Sequence, residues 1–130
     1  MGESDVDVVR RMFERFSAGG VEAALELISE NASFEVPGDM SAEPDVYEGH
    51  DGARRYFAGF DGLIEDVRFE ALEVDDAGDA LIVWIRLSGR GAASGIDVEQ
   101  HAAILVWLED GKVVRLRPYP DMDAARDALR

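Results

Sequence analysis

Residues 96–119 read IDVEQHAAILVWLEDGKVVRLRPY and predict a β-hairpin. Asp110-Gly111 lies between two apolar runs, which is a strong signal for a tight two-residue turn. The strand before it, from about Ile96 to Leu108, is apolar on both of its alternating faces. These side chains are Ala102, Ile104 and Val106 on one face, and Leu105 and Trp107 on the other. Such a strand must be covered on both faces, and because the helices of the chain can cover only one, we expect a partner subunit to cover the other.

Helical patterns dominate the N-terminal part of the chain, up to about Phe60. Ser4 and Asp7 form an S-x-x-D capping arrangement, and apolar residues then recur every three or four positions as far as Gly19-Gly20. A second short helix is predicted over residues 21–28, which makes a bent pair with the first. A strand over 32–36 and a loop over 38–49 follow, and Asp51 can cap a third helix that runs to about Phe60.

Strands are predicted from Val67 to Tyr119, and Asp121 can cap a last short helix. In the first of these strands the apolar phase slips at Ala71-Leu72, which indicates a β-bulge. The segment GRGAASG, residues 89–95, is predicted to be a flexible connection. The element order predicts one α+β domain over residues 1–130, with helices on one face of a curved sheet. Such a sheet, closed by helices, is a natural site for a small molecule.

The composition excludes several classes of function. The chain has 13 Lys and Arg against 28 Asp and Glu, a formal net charge of −15, and no cysteine. The negative field repels nucleic acid and anionic lipid surfaces, so we expect neither partner. The absence of cysteine excludes disulfides and thiolate chemistry. No apolar run approaches the roughly 20 residues of a membrane span, so a cytoplasmic location is expected.

Three segments together resemble one known family: FERFSAGGVEAALELISENASFEVP at 13–37, YEGHDGARRYF at 47–57, and VEQHAAILVWLEDGKVVRLRPYPDMDAARDAL at 98–129. They are similar to the SnoaL-like group of the nuclear transport factor 2 superfamily, which also includes ketosteroid isomerase and limonene epoxide hydrolase. The resemblance implies a cone-shaped barrel of a curved, mostly antiparallel sheet, covered by N-terminal helices and followed by a short C-terminal helix. It also implies a homodimer with an apolar pocket.

The resemblance also implies where acid–base groups would stand. The carboxylate that serves as general base in isomerase-like members matches Val36 here, and a second polar position matches Ile104. Because an apolar side chain cannot accept a proton, the usual isomerase or cyclase mechanism is not expected. We expect a pocket for a small hydrophobic molecule, polyketide- or terpenoid-like. The alternative is a non-catalytic dimeric binding or scaffold module. Any enzymatic activity would be isomerase-, cyclase- or lyase-like and without metal.

Candidate site residues follow from this expectation. The resemblance places Gln100 and Ile104 on the inward parity and His101 on the outer face, although a one-residue slip in register would exchange them. The candidates for catalysis are Asp39, Tyr56, Gln100 and His101. The candidates for ligand binding are Tyr47, Tyr56, Phe60, Trp84, Gln100, Ile104 and Tyr119.

Structural roles are the first interpretation for the remaining polar residues. His50 stands beside the predicted cap of the third helix, where a capping or loop role is expected. No metal-binding spacing of histidines or acids occurs, so neither a metal nor a cofactor is expected. Arg86, Arg115 and Arg117 interrupt strands, and each requires a carboxylate partner or an anionic ligand.

Overall fold

The computed structural model describes residues 4–36, 45–58 and 64–129. Its helices are α1 (Asp5–Ala24), α2 (Gly49–Ala58) and α3 (Met122–Ala128), with a 3₁₀ turn at Leu25–Leu27. Its strands are β1 (Ile28–Val36), β2 (Asp45–Glu48), β3 (Ile64–Asp76), β4 (Leu81–Gly91), β5 (Asp97–Glu109) and β6 (Lys112–Tyr119). The strands form one six-stranded sheet in the order β2-β1-β6-β5-β4-β3, and β1–β6 is its parallel pair. The predicted α+β class is confirmed.

The two faces of the sheet carry two separate apolar clusters. The inner face packs against α1 and α2, and its central strands supply Leu81, Val83, Ile85, Ile104 and Val106. The outer face packs against α3, and its cluster includes Ile82, Ala103, Leu105 and Ala125. Burial on both faces explains why β4 and β5 are apolar without alternation.

Two of the three predicted helix caps, at Ser4 and Asp121, and the predicted hairpin turn are confirmed, whereas Asp51 is not a cap because α2 already begins at Gly49. The Ser4 hydroxyl accepts a hydrogen bond from the Asp7 backbone N–H at 3.2 Å, and the Asp121 carboxylate accepts one from the Ala124 N–H at 2.8 Å. In the β5–β6 turn, Asp110 has φ 52° and Gly111 has φ 76°. This is the left-handed conformation that a two-residue hairpin requires.

The predicted bent pair of N-terminal helices is confirmed, since two helical stretches meet at a kink and together form α1. Gly20 leaves helical geometry, with φ 77° and ψ −169°, and α1 then continues to Ala24. The segment predicted as the second helix ends early, because a 3₁₀ turn follows and β1 already begins at Ile28. Glycine tolerates the positive φ of the kink without strain.

Two strands extend into segments that were predicted as loop. Asp45–Glu48 forms β2, which pairs with β1 and places Tyr47 opposite Phe34. Strand β4 continues to Gly91, because a side chain at Gly89 would meet Ile64 Cγ2 at 2.4 Å and glycine therefore lets β3 approach. Residues 38–44 of the predicted loop lie outside the described residues.

The predicted bulge in β3 is confirmed. The register against β4 shifts between Ala71 and Glu73, where the apolar phase of the sequence slips. A second shift occurs between Glu65 and Arg68, and Asp66 has φ 55° there. Because bulges increase the twist of a strand, they help β3 to bend around α1.

Candidate functional site

An aromatic cluster forms on the inner face where α2 crosses β1 and β2. The Tyr56 ring lies 5.5 Å from Phe34, 5.9 Å from Tyr47 and 5.0 Å from Phe57, measured between centroids. Close approach of α2 makes this possible, because a Cβ at Gly52 would meet the Tyr47 backbone carbon at 2.6 Å. Edge-to-face contacts of this kind stabilise aromatic clusters beyond simple burial.

Tyr56 is the polar group at the centre of this cluster. Burial raises its pKa to about 12, and the neighbouring Tyr47 contributes in the same direction. An apolar environment disfavours the charged phenolate, so the hydroxyl stays protonated at all physiological pH values. A neutral phenol of this kind can donate a hydrogen bond to a carbonyl or hydroxyl oxygen, but it is a poor base.

Three predicted site residues belong to the inner face. Tyr47 and Tyr56 pack against its apolar cluster, and Ile104 is part of that cluster with 4% exposure. Gln100 pairs with Leu87 in the β4–β5 register and is exposed. Leu87 belongs to the inner cluster, as does Ile104. Gln100, the partner of Leu87, and Ile104 are therefore both on the inner side of β5, as expected from the alternation.

Three other predicted residues lie on the outer face. Trp84 and Tyr119 pack against the cluster under α3, and the exposed His101 stacks on Trp84 at 5.4 Å with an interplanar angle of 17°. The sheet therefore separates them from Tyr56. Periodicity did not reveal this because β4 is apolar on both faces. The predictions for Asp39 and Phe60, and for the side chain of Val36, fall outside the described residues.

His50 was expected in a capping or loop role, but it lies inside α2 and contacts β1 instead. Its Nε2 lies 2.8 Å from the Ile28 carbonyl oxygen. A carbonyl oxygen can only accept, so Nε2 carries the hydrogen and donates it. The bond joins the start of α2 to the start of β1.

The three strand arginines have carboxylate partners on the outer face. Arg115 donates to Glu35 from Nε at 2.8 Å and from Nη2 at 3.2 Å, and Arg117 Nη1 lies 3.9 Å from the same carboxylate. Arg86 donates to Glu70 at 2.7 Å, and this hydrogen bond raises the pKa of Arg86 above its ordinary value. A hydrogen-bonded carboxylate therefore accounts for Arg86 and Arg115, whereas the buried Arg117 Nε has no hydrogen-bond partner among the described residues. Glu35 was not predicted as a partner of these arginines, because the sequence indicates only that it lies on the face of β1 opposite to Phe34.

Within the described residues, no three His, Asp or Glu side chains come together as a metal site. None of the helices described for this chain is long and apolar enough to cross a bilayer.

The comparisons with known proteins give the family. The SnoaL-like domain model matches residues 9–116. No curated protein sequence matches the chain significantly.

Several solved structures share the fold. A proposed SnoaL-like polyketide cyclase from Jannaschia sp. CCS1 is 22% identical, with a TM-score of 0.73, and the match covers 99% of this chain and 96% of that one. TerC, co-crystallised with polyporic acid, is 17% identical with a TM-score of 0.75 and 95% of each chain covered. A nuclear transport factor 2-like protein of unknown function from Burkholderia pseudomallei K96243 is 16% identical, with a TM-score of 0.77 and 97% of each chain covered.

At these identities the structural likeness shows the fold alone, whereas the domain model covers well over half of the chain. The chain belongs to the SnoaL-like domain family, within the ketosteroid isomerase-like and nuclear transport factor 2-like fold group.

Proposed function

We propose that this protein binds a small hydrophobic molecule with a carbonyl or hydroxyl group, polyketide- or terpenoid-like, beneath α2. The observation that carries the proposal is Tyr56, a phenol held among aromatic rings with its pKa raised to about 12. The hydroxyl would donate to the ligand oxygen, and Tyr47 would line the same site. This is the usual design of small-molecule sites, in which a few polar groups orient a ligand among apolar walls.

The surrounding residues favour binding over acid–base chemistry. Ile104 is buried and apolar at a position where the family resemblance implies an acid–base group, and Val36 stands in the sequence at the other position so implied. A general base must lie within hydrogen-bond reach of the proton it removes. His101 lies on the outer face of the sheet, so Tyr56 and Gln100 are the catalytic candidates left among the described residues. Asp39, which lies outside them, stays a sequence-based prediction as a displaced base.

The relatives support this class of ligand. TerC is co-crystallised with polyporic acid, and the Jannaschia protein is a proposed polyketide cyclase. Both share the fold over nearly the whole chain. At 17% and 22% identity they support the kind of molecule and do not name the substrate.

The test is a titration of the ¹⁵N-labelled protein with 2-acetylnaphthalene, a neutral aromatic ketone, followed by NMR. We expect shifts in the amides of α2 and β2, and Tyr56→Phe should weaken binding about fivefold through loss of one hydrogen bond. Tyr119→Phe, on the outer face, is the matched control and should bind as the unmodified chain does. No shift in α2, or equal affinity in the two variants, would refute the proposal.

A second candidate function, a non-catalytic dimeric module, rests on the outer face. Val46 is 49% exposed there, and Trp84 and Trp107 are only partly covered by α3 and neighbouring side chains. A second copy of the chain would cover this face by twofold symmetry. Light scattering at micromolar concentration tests the candidate, and a monomer would count against it.

A further inference from the structure

A cleft of about 610 Å³ lies between α1 and the edge strand β3, and its Phe69 ring contacts Phe57 of the aromatic cluster beneath α2. Arg10, Glu14 and Ala18 line it from the helix, and Arg68 and Ala71 line it from the strand. We propose that this cleft is a binding site for a small carboxylate that carries an aromatic or other apolar body. The inference does not depend on the function proposed above, because the two sites share no polar residue.

Hydrogen bonds hold the two walls of the cleft together. The Ser17 hydroxyl accepts from the Phe69 N–H at 2.9 Å and donates to the Phe69 carbonyl at 3.1 Å. Arg10 Nη1 donates to the Ala71 carbonyl at 2.9 Å. The cleft is therefore formed before a ligand arrives, which reduces the entropy lost on binding.

Two cations in the cleft lack carboxylate partners. Within the described part of the chain, neither Arg10 nor Arg68 makes an ion pair, whereas Arg86, Arg115 and Arg126 all do in this strongly acidic protein. Arg10 uses one N–H on Ala71 and keeps further donors, since a guanidinium has five. A carboxylate is the partner that this donor geometry suits best.

Two acids, Glu14 and Glu70, line the cleft, but only one of them keeps an uncompensated charge that repels a ligand anion. Glu70 is held by Arg86 through both of its oxygens, at 2.8 and 2.7 Å, so its charge is compensated. Glu14 makes no ion pair among the described residues and is exposed on α1. The two positive charges of Arg10 and Arg68 therefore exceed the one uncompensated negative charge, that of Glu14, in this cleft.

The apolar part of the lining fits the body of the ligand. Phe13 and Phe69 form the floor, with ring centroids 6.2 Å apart, and Ala18 and Ala71 add methyl groups at the sides. The volume lies within the range of sites that hold drug-sized molecules.

The probe for this site is 2-naphthoate, compared with 2-naphthamide, which has the same ring system and no charge. In ¹⁵N NMR titrations we expect naphthoate to shift the amides of residues 10–18 and 68–71. The amide should bind about tenfold more weakly, since it cannot form a charged hydrogen bond. Equal affinity for the two probes, or shifts confined to other parts of the chain, would overturn the proposal.

Charge variants give the decisive comparison. Arg68→Gln should weaken naphthoate binding about tenfold. Glu14→Gln should strengthen it about two- to threefold, because a repulsive charge is removed. Lys112→Gln, at the exposed β5–β6 turn, removes one positive charge elsewhere and should change nothing beyond a general charge effect. If Arg68→Gln behaves like Lys112→Gln, or Glu14→Gln does not tighten binding, the site does not recognise a carboxylate.

Discussion

Ser17 and Phe69 are joined by two hydrogen bonds through a single hydroxyl. The oxygen of Ser17 accepts from the backbone N–H of Phe69 at 2.9 Å and its hydrogen is donated to the carbonyl of the same residue at 3.1 Å. Phe69 lies on β3, which is at one edge of the sheet and pairs with β4, so Ser17 binds these backbone groups on the side of β3 that has no strand. A side chain of α1 thus satisfies an edge that would otherwise be open to pairing with another chain.

Ser17→Ala should reduce the free energy of unfolding by about 1–3 kcal/mol, because two backbone groups at a partly buried position lose their partner. Urea denaturation measures the change, and the Phe69 amide should exchange its hydrogen faster. Ser88→Ala is the control, because the Ser88 hydroxyl makes no hydrogen bond with any described residue. Equal stability of the two variants would contradict this assignment.

Glu35→Gln should destabilise the protein by about 1–3 kcal/mol, because it weakens charged hydrogen bonds and leaves Arg115 and Arg117 without a carboxylate. The Glu35 side chain is 18% exposed. Glu26→Gln removes a partner of Arg15 at a site where the acid is 73% exposed, and its effect should be smaller because solvent screens the pair. Thermal and urea unfolding would compare them, and the reverse order would refute the argument.

The stability of the chain should fall between pH 10 and pH 12 because of Tyr56. Its pKa is about 12 in the folded state, against an ordinary value of 10, so in this window the unfolded chain releases a proton that the folded chain retains. The unfolding free energy then declines by at most about 1.4 kcal/mol per pH unit. Tyr56→Phe should lose less stability than the unmodified chain over the same range. Parallel losses in the two proteins would argue against a shielded phenol.

Gly111→Ala should cost about 1 kcal/mol, because Gly111 has φ 76° and a Cβ is strained in that region. Asp110→Asn should stay within about 0.5 kcal/mol, since asparagine also adopts the φ of 52° found there. Urea denaturation of the two variants separates the backbone effect from a general loss of turn polarity. A larger effect at Asp110 would mean that its carboxylate matters beyond the turn.

The parts of the fold that were predicted from sequence carry strong local signals. Ser4 and Asp121 were recognisable as caps, and Asp110-Gly111 as a turn, because each depends on a few adjacent residues. Strand β2 was missed since DVYE is only four residues long and follows Pro44. Its pairing with β1 is a tertiary contact that no local pattern contains.

The candidate site was harder to predict because it depends on which face each residue occupies. The alternation of β5 placed Ile104 and His101 on opposite sides, and the structure agrees. The face on which Trp84 lies was not predictable in this way. Its strand is apolar throughout, so the alternation of residues does not show which face of the strand is turned toward α2. No local sequence pattern indicates the cleft beside Arg68, because its walls come from elements some 50 residues apart.

The parallel pairing of β1 with β6 has a kinetic consequence. Glu35 and Arg115, whose side chains are hydrogen-bonded across this pair, are separated by 80 positions in the chain, whereas β3 to β6 follow one another as antiparallel neighbours. Loop-closure entropy rises with the length of chain that must be enclosed. We therefore expect the C-terminal meander to assemble first and the N-terminal strand to dock onto it late, so that this junction limits the folding rate.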